Sequence, residues 1–236
     1  MAVTREKFKV YKNVFDEFTL QTLHKLSGQG HFDEIRSPVS IGKEANIFTA
    51  AKGNDMVILK IYRVTACDFK RMYDYLKFDP RYTKIRRKLR QVIFTWVQRE
   101  YHNLLIARKA GIAVPTPYAC LNDVIVMEMI GDPAPKLKDL QPSEPHKFFD
   151  ECMSYVRTLY SAKLVHADLS AFNILNFNDH PIFIDFSQAT PIGNPLAEEY
   201  LMRDITNLSN HFRGLGIAFD AHVLFASLIP NLNKKG

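Results

Sequence analysis

Residues 164–175 run Leu-Val-His-Ala-Asp-Leu-Ser-Ala-Phe-Asn-Ile-Leu: an apolar start, a polar middle with His166, Asp168 and Asn173, and an apolar finish. An aspartate in such a loop can meet a substrate hydroxyl and take its proton. Asn173, further along the same loop, can turn back toward a metal ion. Beyond it, the short apolar run Ile182-Phe183-Ile184 ends in a second acid, Asp185. Mg²⁺ prefers oxygen ligands and takes few from protein when phosphates are present, so Asn173 and Asp185 suffice as its protein ligands. The implied chemistry is transfer of a phosphoryl group to a hydroxyl. Either aspartate alone reads better as a turn residue capping nearby amides. The ordered set of His166, Asp168, Asn173 and Asp185 reads as catalytic.

Lys60 lies in Met56-Val57-Ile58-Leu59-Lys60-Ile61-Tyr62, a strand otherwise almost wholly apolar. Alternation puts it on the face with Ile58 and Tyr62, opposite Val57, Leu59 and Ile61. Such a lysine either snorkels from an edge strand or neutralises an anion. Glu100 falls within the apolar stripe Ile93, Trp96, Val97, Leu104 and Ala107 of a helix expected over about 92–110. A buried carboxylate without a partner is costly. A Lys60–Glu100 pair answers both anomalies, and such a pair holds a lysine on α- and β-phosphates. Ser40-Ile41-Gly42-Lys43, just before the first hairpin strand, is in place to cover phosphates. Gly42 permits close backbone approach, and Ser40 and Lys43 can donate to phosphate oxygens. Alone this loop is a weak signal, being neither G-x-G-x-x-G nor a Walker A loop.

The elements that must position these residues are partly legible. A helix is expected over 16–27 with Gly28 as its stop, and strands over 45–51 and 56–62 around the turn Lys52-Gly53-Asn54-Asp55. Pro115 and Pro117 lead into a strand at 124–129, and the proline-rich segment 131–145 reads as a linker. Ser143 is the expected N-cap of a helix reaching about 162, with Phe149, Met153, Val156 and Tyr160 as its buried stripe. Strands near 174–177 and 181–185 flank an Asn-Asp-His turn, Pro195 is expected to open a helix as its first residue, and a last helix covers about 219–228. The fold class is therefore α+β: a small sheet with one long helix over 1–128, then a mostly helical lobe over 129–236. A two-lobed chain of this kind favours a ligand in the cleft between lobes.

Composition narrows the rest. The 236 residues are 47% hydrophobic and 24% charged, which excludes global disorder. No apolar run approaches the roughly 18 residues of a membrane span. The start, MAVTREKFKVYK, has no apolar signal-peptide core. Cys67, Cys120 and Cys152 lie far apart and form no metal-type pair, so a reducing, cytoplasmic setting is expected. A net charge of +6 permits a polyanionic partner without requiring one.

The spacing His166-x-Asp168-x-x-x-x-Asn173 resembles a kinase catalytic loop, with Asp185 in the place of the metal-binding aspartate. More specifically, the chain resembles the RIO family of atypical serine/threonine protein kinases, and most of all its first subfamily. The matching pieces are Gly42-Lys43-Glu44-Ala45-Asn46, Leu59-Lys60-Ile61-Tyr62, the Trp96-to-Leu104 helix with Glu100, Pro133-Ala134-Pro135, Val165-His166-Ala167-Asp168-Leu169-Ser170 with Asn173, and Ile184-Asp185 with Ser187-Gln188. Ser170 stands where conventional protein kinases place a lysine, and no Ala-Pro-Glu segment follows Asp185. The resemblance covers nearly the whole chain and implies a two-lobed protein-kinase-like fold.

The resemblance makes Asp168 the catalytic aspartate, Asn173 and Asp185 the metal ligands, Lys60 the phosphate contact and Glu100 its orienting partner. Ser40 and Lys43 belong to the nucleotide loop. Met127, Glu128 and Ile130 supply the strip that receives adenine, and Asp204 braces the catalytic loop or is simply a solvated helix acid. Two departures stand out: Ile41 where relatives usually carry threonine, and Ala171 where an acid is common. The implied activity uses ATP with Mg²⁺, or Mn²⁺, and passes the γ-phosphate to a protein serine, including one of its own, or through Asp185 to water. The implied partner is the small ribosomal subunit precursor, with its RNA and proteins. The basic stretch 63–91 corresponds to a family insertion. Its Phe69, Tyr73, Tyr75, Phe78 and Tyr82 can stack on bases while its cations meet phosphates, or the segment simply packs on the small lobe. Two other classes stay open: a small-molecule phosphotransferase of aminoglycoside or choline type, and a catalytically silent scaffold binding RNA or protein.

Overall fold

The computed structural model describes residues 15–64, 67–82 and 88–229. The chain divides into two compact units, Met1–His102 with Thr116–Met129, and Asn103–Pro115 with Ile130–Gly236.

The first unit is built on a five-stranded antiparallel sheet in the order β1-β2-β3-β5-β4. The strands are β1 (Glu34–Ile41), β2 (Ala45–Lys52), β3 (Asp55–Tyr62), β4 (Pro117–Leu121) and β5 (Val124–Glu128). Lys52 pairs with Asp55, so Gly53-Asn54 is a two-residue hairpin turn, and Gly53 takes the positive φ of 60° that such a turn requires. Helix α1 (Glu17–Gly28) starts one residue later than expected because Asp16 is its cap, accepting the Thr19 N–H. Leu23 and Leu26 of α1 pack with Phe48, Val57, Leu59, Ile61 and Val126, so the apolar face of β3 lies toward this helix. Helix α2 (Phe69–Leu76) is capped by Asp68 and buries Met72, Tyr75 and Leu76. A short 3₁₀ turn over Pro80–Tyr82 follows. The long helix α3 (Leu89–Lys109) buries the whole expected stripe of Ile93, Trp96, Val97, Leu104 and Ala107.

The second unit contains α4 (Pro145–Ser161), α5 (Ala197–Arg213) and α6 (Ala221–Leu228). Two short antiparallel sheets join them, β6 (Leu164–Val165) with β9 (Thr190–Pro191), and β7 (Ile174–Phe177) with β8 (His180–Phe183). Several expectations are corrected here. Segment 131–145 is not a free linker: Leu137 is fully buried, its N–H donates to the Ile174 carbonyl, and the Lys138 N–H donates to that of Ala171. Ser143 does not cap α4. Its N–H and hydroxyl both donate to Asp179 in the β7–β8 turn, and Pro145 opens the helix without a side-chain cap. Leu159 takes the buried place expected of Tyr160, which is half-buried. Pro195 precedes α5, because Asn194 accepts the Leu196 N–H on its side chain and the Ala197 N–H on its carbonyl, delaying the helix to Ala197.

Candidate active site

Lys60 and Tyr62 both occupy the face of β3 opposite its apolar core, as alternation requires. Glu100 comes to them from the middle of α3. The Lys60 Nζ donates to Glu100 Oε1 at 2.6 Å, and the Tyr62 hydroxyl donates to Oε2 at 2.5 Å. Both charged side chains are buried, 9% and 1% exposed, so neither is a snorkelling surface group. The ion pair inferred from the sequence is formed; the Tyr62 contact was not anticipated.

In the second unit, the loop after β6 holds Asp168 between two anchored residues. Ala167 has φ +65°, unfavourable for a side chain with a Cβ. Helix α5 secures it. Asp204 Oδ2 accepts the Ala167 N–H and Oδ1 the Leu169 N–H, each at 2.8 Å. Arg203 donates to the Ala167 carbonyl, and Asn207 Nδ2 to that of Leu169 at 3.1 Å. The peptide groups on both sides of Asp168 are thus tied to one helix face. Asp204 is a brace, not a solvated acid. Burial pushes its carboxyl up to about 8, against the two N–H groups and Arg203, which favour its charge, and with the Asp168 charge adding to the rise.

Asn173 immediately precedes β7, and Asp185 lies just past β8. Pairing of Ile174 with Phe183 brings the two segments side by side, with the Ile184 N–H donating to the Asn173 carbonyl at 3.0 Å. The Asn173 amide nitrogen donates to the Asp168 carbonyl at 2.8 Å and to its Oδ2 at 3.1 Å. Its amide oxygen is therefore the atom turned elsewhere. Asp185 has φ +62°. The following turn is held by Asn103, whose Nδ2 donates to the carbonyls of Phe186 and Ala189. His166 is buried against Phe186, with Nε2 at 3.1 Å from the Ile184 carbonyl. Asn173 and Asp185 offer the hard oxygen donors that Mg²⁺ takes, so the donor set fits the ion. Among the described residues no cluster of three or more His, Cys, Asp or Glu side chains offers a self-sufficient metal cage.

Asn103, Arg203 and Asn207 were missed from sequence. The available signal was position: Asn103 lies one helical step after Glu100 on the same buried stripe.

The remaining expected residues are placed as follows. Ser40 and Lys43 are exposed at the end of β1 and in the turn after it. Between them, a Cβ on Gly42 would lie 2.7 Å from the Ala45 carbonyl oxygen, so this tight turn requires glycine. Met127 is buried on β5. Glu128 spends its carboxylate locally, accepting the Thr116 hydroxyl and N–H at 2.6 and 3.0 Å. Ile130 opens the second part of the other unit.

The described residues of the basic stretch 63–91 include several that pack within the first unit. Tyr75 cannot stack on a base, being buried with its edge on Trp96 at 5.8 Å. Tyr82 bonds His102, and Arg90 lies over Phe18. Asp79, fully covered, accepts from Arg81 at 2.6 Å and from the equally buried Arg99 at 3.1 Å. Lys84, Arg86 and Arg87 lie outside the described residues. Among the described residues no helix is long and apolar enough to cross a membrane.

The RIO domain family model matches residues 46–224. The chain is 41% identical over 235 residues to the RIO-type serine/threonine-protein kinase Rio1 of Haloferax volcanii, covering 98% of this chain and 81% of that protein. It is 42% identical over 214 residues to the protein of the same name from Methanocaldococcus jannaschii, covering 88% and 73%. A crystal structure of a Rio2 kinase–ADP/Mg²⁺–phosphoaspartate complex from Chaetomium thermophilum superposes with a TM-score of 0.71 at 23% identity, over 91% of this chain and 66% of that one. That likeness establishes the α+β, kinase-like fold. The chain belongs to the RIO kinase family, in its Rio1 subfamily.

Proposed function

We propose that the chain is a Mg²⁺- and ATP-dependent serine/threonine kinase whose residues also allow an ATPase route. The observation that carries this reading is the anchoring of Asp168: both flanking peptides are tied to α5, and the Asn173 amide is turned onto its carboxylate. Such fixing of a proton acceptor is what phosphoryl transfer asks of a protein.

In this reading, Lys60 contacts the α- and β-phosphates and Glu100 orients it. Ser40 and Lys43 donate to phosphate oxygens across the glycine turn, and adenine rests on backbone and apolar groups of Met127, Glu128 and Ile130. Asn173 Oδ1 and the Asp185 carboxylate would hold Mg²⁺, which supplies charge neutralisation at the phosphates when bound. Asp168 takes the proton of a serine hydroxyl. The serine oxygen bonds to the γ-phosphorus as the bond to the β–γ bridging oxygen breaks, and ADP leaves. In the ATPase route, a carboxylate oxygen of Asp185 attacks the γ-phosphorus and ADP leaves. Water then cleaves the acyl phosphate, releasing inorganic phosphate and restoring the carboxylate. The substrate particle is the small ribosomal subunit precursor in a cytoplasmic setting, a reading supported by the +6 charge and by exposed cations such as Lys88.

The test is incubation of the protein with γ-labelled ATP and Mg²⁺, following free phosphate and protein-bound label in parallel. Acid-stable label on serine is the expected kinase product. Alkali-labile, transient label with free phosphate marks the route through Asp185. Neither label nor phosphate release would refute the reading.

A further inference from the structure

We propose that Tyr62 is a positioning residue for the nucleotide site, its hydroxyl holding Glu100 so that Glu100 can present Lys60. The inference rests on the ATP-dependent reading above and extends it to a residue with no role there. Tyr62 is 2% exposed and lies two positions beyond Lys60, on the same face of β3. Its hydroxyl donates to Glu100 Oε2 at 2.5 Å, while Lys60 donates to Oε1 at 2.6 Å. Two donors from one strand therefore fix both the place and the plane of one carboxylate.

The choice of a phenol has a physical reason. A phenol is a hydrogen-bond donor on a rigid ring, and here it donates to the carboxylate. Its ring also lies 5.3 Å from the Lys60 ammonium, where it supports the cation. When Lys60 shares its charge with phosphate, Tyr62 still holds Oε2. Phenylalanine would fill the same space and remove only the donor.

Cys120 on β4 is affected by the Glu100 charge, but burial first and that charge second push its thiol up to about 12, so it stays neutral. Arg99, the preceding residue of α3, is engaged by Asp79. Lys60 and Tyr62 are thus the β3 groups through which the Glu100 carboxylate is set.

The experiment compares wild type and Tyr62→Phe, each alone and with Glu100→Gln. Two readouts are used: the carboxyl ¹³C titration of Glu100, assigned by its loss in Glu100→Gln, and Mg²⁺-ATP affinity as a function of pH. Loss of the donor disfavours the charged carboxylate, so the Glu100 titration should move up. The acid limb of the affinity profile should move up with it, and affinity near neutrality should fall about tenfold. In the Glu100→Gln background, Tyr62→Phe should cost nothing further. An unmoved Glu100 titration, or an equal loss in both backgrounds, would overturn the assignment. Absence of ATP binding in wild type would refute the kinase reading instead, because the Glu100 titration reads the Tyr62 contact independently of activity.

Discussion

Asp204 holds the loop around Asp168 through two peptide N–H groups. An asparagine there keeps one acceptor oxygen and turns an NH₂ toward a backbone N–H, donor against donor. A buried, unsatisfied donor costs about 1–3 kcal/mol. Asp204→Asn should lose that much in urea denaturation at about pH 4, where the carboxyl's contribution is complete. Burial raises the Asp204 carboxyl to about 8 in the folded chain, above its ordinary 3.8. The folded state therefore binds a proton that the unfolded state has released between those values. The stability contributed by this group is complete below about 4 and lost as pH rises toward about 8. The stability gap between wild type and Asp204→Asn should narrow over that range. A gap independent of pH would contradict the protonated, buried carboxyl.

Helix α3 is set from two sides, by β3 through Glu100 and by the segment that precedes it through Arg99. Asp79 is that segment's contribution: burial opposes its charge, yet Arg81 and Arg99 hold its carboxyl below the ordinary carboxylate range. Asp79→Ala removes the carboxylate facing the buried Arg99 guanidinium. The expected loss is about 3–5 kcal/mol, against about 1 kcal/mol or less for Arg81→Ala at a partly exposed position. Chemical denaturation of both variants checks the ordering. Because the Asp79 value is depressed, its contribution is lost as pH falls through the folded value. None of this pair was legible in the sequence, since nothing local marks residues 79 and 99 as partners. Glu100 was legible, because a charge inside an apolar stripe requires a counter-charge. The β2–β3 hairpin and α3 were readable for the same reason: their apolar periodicity reports burial directly. Strand β1 was not. Six of its residues in succession are exposed, Pro38 interrupts it, and its register shifts twice, so no alternation exists to read. The proline-rich segment 131–145 misled in the opposite sense. Its prolines signal a linker, while Leu137 and the carbonyls of Ala171 and Ile174 bind it to the second unit.

At the scale of the molecule, the labour is divided by chemistry. The first unit holds a buried, twice-supported Lys60–Glu100 pair, and the second holds an aspartate, an asparagine and a second aspartate on rigidly tied loops. The same separation explains why the candidate site residues stood out in the sequence more than the frame around them. Lys60, Asp168, Asn173 and Asp185 stand in short apolar contexts that expose their oddity. Arg203, Asp204 and Asn207 lie on an ordinary amphipathic helix and declare themselves only through the loop they hold. In the proposed function Asp168 acts on the acceptor hydroxyl and not on nucleotide binding. The most direct measurement is γ-phosphate transfer from Mg²⁺-ATP by wild type and Asp168→Ala, with nucleotide affinity determined on the same samples. The expected result is loss of transfer by at least about a hundredfold with affinity within a few-fold of wild type. Transfer by Asp168→Ala at the wild-type rate would exclude Asp168 as the group that acts on the hydroxyl.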